Sequence, residues 1–459
     1  MRGTGADRSV VAMKPGNAGG ATGAGHSGKR DGQPQVREEP GREPRSNGKP
    51  FVISKRVVWE AWKQVRANHG AAGVDGQSIA EFEADLSGNL YRLWNRMSSG
   101  SYMPPPVRAV QIPKAGSGVR VLGVPTVADR VAQTVAKLYL EPLVEPVFHE
   151  DSYGYRPRRS AHDAIRRCRE RCWRNDWAID LDVRSFFDTL DHSLVLRAVA
   201  HHTSERWLLL YVQRWLVAPL QGQDGTLAAR DRGTPQGSAI SPVLANIFLH
   251  YAFDAWMARI FPGVPFERYA DDVIVHCRSE HQARFVLDSI GRRMAQVGLA
   301  LHPDKTRIVY CKDSNRDGSH EHERLDFLGY TFRPRLAKSS RGAFFVSFCP
   351  AVSNDAAKRI RRDIKRRRLH LWCDQTLSDI ARDINPVVRG WIEYYGRFYR
   401  HELFEVLRLI DAYLVRWAQR KYKRLRRHPE RARRLLANVK RRDPALFAHW
   451  AWAAQLTTG

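Results

Sequence analysis

FERYADDVIVHC (266–277) is the stretch that most restricts how this chain can fold. Phe266, Tyr269, Val273, Ile274 and Val275 are aromatic or β-branched, the side chains that suit a pleated surface. Aspartate is depleted in strands, so Asp271 and Asp272 at the middle of the run need a reason. One reason is a tight turn, whose geometry aspartate tolerates. The other is a divalent cation that offsets the repulsion between neighbouring carboxylates. The dipeptide alone leaves both open.

A second strand bears on the choice. WAIDLDV (177–183) puts Asp180 and Asp182 on one face and Ile179, Leu181 and Val183 on the other. These two acidic clusters sit in a strongly basic chain of 459 residues, with 75 Lys and Arg against 48 Asp and Glu, a net charge of +27. A surface of that charge attracts a polyanion, nucleic acid foremost. Carboxylates on rigid strands can hold two Mg2+ ions about 3.5–4 Å apart, the arrangement that serves phosphoryl transfer. Magnesium keeps several waters, so two or three carboxylates and the substrate phosphates suffice.

Other classes are disfavoured. No apolar run approaches the ~20 residues of a spanning helix, and the N-terminus lacks the apolar core of a signal peptide. The chain therefore reads as soluble and cytoplasmic, with no membrane partner. Its six cysteines, Cys168, Cys172, Cys277, Cys311, Cys349 and Cys373, form no C-x-x-C pair. Reduced structural thiols fit better than zinc or disulfides.

The pattern along the chain is α+β, then helical. Residues 1–50 are rich in Gly, Arg, Ser and Pro and are expected to be a disordered basic extension. Helix-like and extended stretches alternate from Phe51 through RLDFLGYTF. Beyond about residue 353, strands give way to helix-like segments carrying Trp and Tyr. Residues 353–459 hold 26 Lys and Arg against 11 Asp and Glu, so over half the charge excess sits there. Trp391, Tyr394 and Tyr395 have the spacing of a buried helical face.

Y-A-D-D in a hairpin, preceded by a strand leading into L-D-V-x-x-F-F, resembles the palm of reverse transcriptases. RGTPQGSAISPVLANIFLH is similar to the family's P-Q-G block, while VQIPKAGSGVRVLGVPTVADRVAQ and EDSYGYRPRRSAHDAI resemble its fingers blocks. GLALHPDKT and LDFLGY resemble its last palm blocks, and NPVVRGWIEYYG resembles the maturase region of group II intron-encoded proteins. The resemblance spans roughly residues 51–455. It implies a right-hand polymerase with α+β fingers and palm, then an α-helical thumb/maturase domain. The corresponding divisions are 51–160 for the N-terminal extension and fingers, 161–340 for the palm and 353–430 for the thumb. Residues 431–459 would be a basic nucleic-acid-binding tail.

Carried over residue by residue, the resemblance implies that Asp182, Asp271 and Asp272 are catalytic and, with Val183, hold the metals, and leaves Asp180 structural. Phe187 matches the bulky residue that excludes a ribose 2′-hydroxyl, or is an ordinary core aromatic. Lys114, Arg120, Gln236, Gly237 and Lys305 are the candidates for the incoming dNTP, with solvated basic loops as the plainer reading of the cations. Phe327, Leu328, Gly329 and Tyr330 match the turn that steadies the primer end, with core packing as the alternative. Candidates for RNA contact are Arg389, Arg397, Arg400, Arg420, Lys421, Lys423, Arg424, Arg426 and Arg427, where cations meet phosphates.

The function implied is RNA-directed DNA synthesis with two Mg2+ ions, a DNA primer or target and dNTPs, together with binding of a group II intron RNA to assist splicing and mobility. A domesticated or defence-associated reverse transcriptase without an intron partner is the first alternative. A splicing cofactor with little polymerase activity is the second. No cysteine follows Cys373, so no Cys-containing HNH endonuclease domain is expected.

Overall fold

Val58, Ala61, Trp62 and Val65 fall at i, i+3, i+4 and i+7, and together they form the buried stripe of α1 (Lys55–Ala67). That stripe packs on α4 (Val127–Val144), which is buried along most of its length. Between them come α2 (Ile79–Ala84), α3 (Leu86–Ser98) and the antiparallel pair β1 (Val107–Pro113) and β2 (Val119–Val124). The computed structural model describes residues 49–113, 119–339 and 341–457. The basic extension expected over 1–50 therefore lies almost entirely outside the described residues.

The centre of the molecule is an antiparallel sheet in the order β6-β7-β3-β8. Its strands are β3 (Trp177–Leu181), β6 (Phe266–Tyr269), β7 (Asp272–Cys277) and β8 (Arg307–Tyr310). Alternation along the strands gives the sheet two apolar faces. Trp177, Ile179, Leu181, Val273 and Val275 join the main core, which also contains α9 (Ser241–Leu249) and α11 (Glu280–Gln296). Ala178, Ile274 and Val309 join a second core with α5 (Ala161–Cys172) and the sheet of β9 (Leu325–Phe327), β10 (Tyr330–Lys338) and β11 (Phe344–Val352). Helices α6 (Phe186–Thr189), α7 (His192–Ala200) and α8 (Arg206–Val217) follow β3. Short strands β4 (Leu220–Gln221) and β5 (Leu227–Ala228) extend the β1–β2 sheet. Helix α9 runs through a π-helical turn, His250–Asp254, into α10 (Ala255–Ile260).

The change to an all-helical fold comes at Ser353, whose hydroxyl caps α12 (Asn354–Arg367) by accepting the Ala356 amide at 3.2 Å. A boundary at residue 340 would cut the β10–β11 hairpin, which pairs continuously from Tyr330↔Val352 to Lys338↔Phe344. After α12 come α13 (Leu377–Tyr395), α14 (Arg400–Lys421), α15 (Pro429–Arg442) and α16 (Ala448–Thr457). They share one core, in which Leu436, Phe447, Trp450 and Trp452 are buried with Ile410 and Trp417. The segment 431–457 is thus not a tail. Its basic residues lie on the outer side of helices whose apolar side completes the domain.

Candidate active site

Tyr269 pairs with Asp272, so Ala270 and Asp271 form a two-residue hairpin turn and Asp272 opens β7. The turn and the acidic cluster are one feature. Ala270 has φ +58°, in the left-handed region that favours glycine, so the turn is strained and its neighbours must hold it. Gly154 lies against it so closely that a Cβ there would come 2.4 Å from the Ala270 nitrogen. From the other side Arg268 Nη1 donates to the Ala270 carbonyl at 3.1 Å.

β3 ends at Leu181, opposite Val273, two residues earlier than the sequence pattern indicates. Asp182 is therefore the first residue past the strand, beside Asp272 at the same end of the pair. It is kept there by GLALHPDKT. His302 donates its amide to the Asp182 carbonyl at 2.8 Å, Arg184 donates to the Ala300 carbonyl at 2.8 Å, and Val183 bridges Leu301. The same loop brings Lys305 Nζ to 3.2 Å from Asp182 Oδ2.

The carboxyls are electrostatically crowded. Asp272 is exposed as a whole residue, yet the protein packed around it desolvates the carboxyl. That desolvation, then the charges of Asp271 and Asp182, raise it to about 7 against the pull of Lys305 and Arg120. Asp271 is also raised, by desolvation first and then by Asp182. Burial, followed by Asp272, Asp326 and Asp182, pushes Asp180 up to about 8. Asp180 therefore belongs to the electrostatic cluster, although the resemblance gave it no catalytic part. Asp271 and Asp272, both raised and converging with Asp182, fit a hard divalent cation, which takes oxygen donors and relieves the repulsion.

Around this end of the sheet stand the other candidates. Arg120 on β2 is exposed, and its charge acts on both Asp271 and Asp272. β2 docks on the P-Q-G loop: Gly123 donates its amide to the Gln236 carbonyl at 2.8 Å. Gly237 has φ +120°, and a Cβ there would meet the Gly123 oxygen at 2.5 Å, so this approach requires glycine. Phe187 is half-buried and accepts the Thr234 amide at its carbonyl at 2.7 Å, which ties it to the same loop. Lys114 lies outside the described residues. Tyr155, missed in the sequence, also belongs here. It has φ +58°, packs 6.4 Å from the Tyr269 ring, and its phenol is raised by desolvation and then by Asp271.

The remaining candidates divide. Phe327 and Tyr330 are buried and are core residues, whereas Leu328 and Gly329 form the half-exposed turn between β9 and β10. Tyr394 Oη donates to the Leu328 carbonyl at 2.9 Å, and Ser353 donates to that of Gly329 at 3.0 Å. The helical domain thus grips this turn, with Tyr394 and Tyr395 in the second core. Arg389, Arg397, Arg400, Arg420, Lys423, Arg424, Arg426 and Arg427 are exposed. Lys421 is not available in the same way, because its ammonium bonds the Gln375 carbonyl at 2.5 Å and lies over Trp417. Helix α12 adds a face the sequence reading passed over, with Lys358, Arg359, Arg361, Arg362 and Lys365 outside and Ile360 and Ile364 inside.

One further group, Cys168, Glu267 and His276, brings ligand-type atoms within 4.8 Å of one another among the described residues. Both Glu267 oxygens are already taken, Oε1 by Arg171 at 2.5 Å and Oε2 by His276 at 2.6 Å. It is a buried ion-pair chain behind the sheet. The cysteines are free thiols. No helix among the described residues is long and apolar enough to cross a membrane.

Residues 112–332 match the family described as reverse transcriptase (RNA-dependent DNA polymerase), and residues 357–435 match the group II intron, maturase-specific domain. Protein YkfC of Escherichia coli is 31% identical over 305 residues, covering 57% of this chain and 79% of that protein. Group II intron-encoded protein LtrA of Lactococcus lactis subsp. cremoris is 28% identical over 203 residues, 44% of this chain and 33% of LtrA. An uncharacterized 91 kDa protein in the cob intron of Schizosaccharomyces pombe is 23% identical over 433 residues, 78% of this chain and 52% of that protein. The chain thus spans a third to a half of the last two.

Proposed function

This chain belongs to the family of group II intron reverse transcriptases and maturases, and we propose that Asp182, Asp271 and Asp272 are its catalytic carboxylates for RNA-templated DNA synthesis. The observation that carries this is the convergence of the three at one end of the β3–β7 pair, with Arg120 and Lys305 beside them.

With the Val183 carbonyl, these residues would hold two Mg2+ ions. Such ions, when bound, activate the primer 3′-hydroxyl and neutralise the leaving pyrophosphate. The chain's own residues do the rest. Arg120 meets triphosphate oxygens with its planar fork, and Lys305 meets them as a point charge. Gln236 and Gly237 let backbone approach the incoming nucleotide, while Phe187 crowds its sugar at C2′. The Leu328–Gly329 turn, held by Tyr394 and Ser353, steadies the primer end. Exposed cations of the helical domain bind intron RNA, in which the splicing catalysis resides.

RNA-templated extension of a DNA primer by the purified chain tests the polymerase reading. Extension that needs Mg2+ and dNTPs supports it, and none at saturating primer–template sinks it. Splicing of a group II ribozyme encoded around this reading frame, with and without the protein, tests the maturase reading.

A further inference from the structure

Arg268 is fully buried one residue from the catalytic hairpin's end pair, and it is not a carboxylate or a substrate contact. Its guanidinium forms a fork on Asp254, with Nε to Oδ1 at 2.7 Å and Nη2 to Oδ2 at 2.6 Å. The third nitrogen, Nη1, reaches Asn246 Oδ1 at 3.0 Å and the Ala270 carbonyl at 3.1 Å. Asn246 Nδ2 in turn donates to the Gly154 carbonyl at 2.7 Å, where Gly154 lies against the turn. The Arg268 backbone completes the ring, its amide donating to the Asp151 carbonyl at 2.9 Å and its carbonyl accepting the Tyr153 amide at 2.8 Å.

The π-helical turn explains how one helix supplies both partners. Asn246 and Asp254 are eight residues apart, which in a regular α-helix separates them by about 80° around the axis. His250–Asp254 is π-helical and absorbs one extra residue, so the pair behaves as about i, i+7, roughly 20° apart. Both side chains then face the same guanidinium. A lysine in place of Arg268 keeps the charge, but has no planar fork to reach these four acceptor oxygens at once.

We propose that Arg268, held by Asp254 and Asn246, is a positioning residue that keeps the strained Ala270–Asp271 turn in the geometry that aims Asp271 and Asp272 at the cations. The inference rests on the metal-binding reading of the carboxylates given above. The π-helical turn is thereby part of the active-site scaffold, and Gly154 with Tyr155 is locked to the same frame.

The test uses the full chain and the variants Arg268→Lys and Asn246→Ser, the second leaving the Arg268–Asp254 pair intact. Mn2+ affinity is measured by electron paramagnetic resonance on protein bound to a chain-terminated primer–template, and extension kinetics and thermal unfolding are measured beside it. Folded variants should bind Mn2+ about tenfold more weakly and lose about 100-fold in kcat, because small misplacements at a reacting centre carry large rate penalties. Their dNTP KM should stay within about twofold, since the nucleotide contacts lie elsewhere. Wild-type Mn2+ affinity and kcat in a folded variant would overturn the proposal, as would a loss confined to KM. If Arg268→Lys does not fold, Asn246→Ser decides. A wild-type chain that binds Mn2+ yet extends nothing counts against the polymerase reading alone, and the Mn2+ comparison still judges Arg268.

Discussion

Lys305 Nζ lies 3.2 Å from Asp182 Oδ2, although the two residues are 123 apart in sequence. The GLALHPDKT loop makes this contact by wrapping the end of β3 through His302 and Leu301. The pair is largely exposed, and such pairs contribute about 0–1 kcal/mol to stability. On the proposed reading its value is functional: a cation that balances the carboxylates can turn to a triphosphate. Lys305→Ala should leave the melting temperature unchanged and raise the dNTP KM about tenfold, equivalent to about 1.4 kcal/mol of binding. Steady-state extension with varied dNTP measures it, and an unaltered KM would return Lys305 to a surface role.

Phe187→Ala should admit ribonucleotides while retaining DNA synthesis. The proposed selection is steric, and the residue is half-buried beside the fully packed Phe186. Competition between rNTP and dNTP in single-nucleotide incorporation gives the answer. Retained activity with unchanged discrimination makes Phe187 a core aromatic only.

The acidic hairpin was largely legible in the sequence because strand periodicity and paired acids are local signals. Asp271 and Asp272 needed no choice between turn and site, since the turn itself presents the acids. The supports were not legible. Asp254, Asn246 and Arg268 come from a helix and a strand 14 to 22 residues apart, and each alone looks like a polar lapse in an apolar run. The tail reading of 431–459 failed for a related reason. Dense arginine hid an apolar stripe whose partners, such as Ile410 and Trp417, lie on another helix.

Asp180 makes metal-free stability depend on pH. Its folded pKa of about 8 exceeds the ordinary value of about 3.9, so the folded chain holds this proton more tightly than the unfolded chain. The stability linked to that proton is full below about pH 4 and fades as pH rises through about 8. Asp180→Asn removes the titration. The variant should match wild type near pH 4 and melt at least about 2–4 °C higher at pH 8 in chelator. A gap that does not change with pH would show that Asp180 does not titrate in this window.

Trp450 is buried, and its indole donates to Asp411 Oδ1 at 2.7 Å. Trp450→Ala should therefore cost about 3–5 kcal/mol in the helical domain, as large core truncations do. Denaturant unfolding reads this directly. A negligible loss would restore the reading of this segment as a basic nucleic-acid-binding tail.

Replacing Arg420, Lys423, Arg424, Arg426 and Arg427 by Gln should weaken binding to structured RNA and flatten its salt dependence. Each lost phosphate contact should remove up to about 0.7 from the log–log slope. Lys421 is left in place because it anchors the Gln375 carbonyl. Filter binding across a salt series checks the slope, and an unchanged slope and affinity would move the RNA surface elsewhere, with the α12 cations next to test.

On the proposed reading, the carboxylates at the end of β3 and β7 carry metal-dependent DNA synthesis on an RNA template. Asp271→Asn tests it most directly, because the amide keeps the size of the turn residue while removing a charged oxygen ligand. Primer extension and RNA affinity should be measured on the same preparation. Extension should fall by at least about 1000-fold, since a lost ligand removes several kcal/mol of charge stabilisation, while RNA affinity stays within about twofold. Near-normal extension by the variant would contradict it and leave Asp271 as a turn residue.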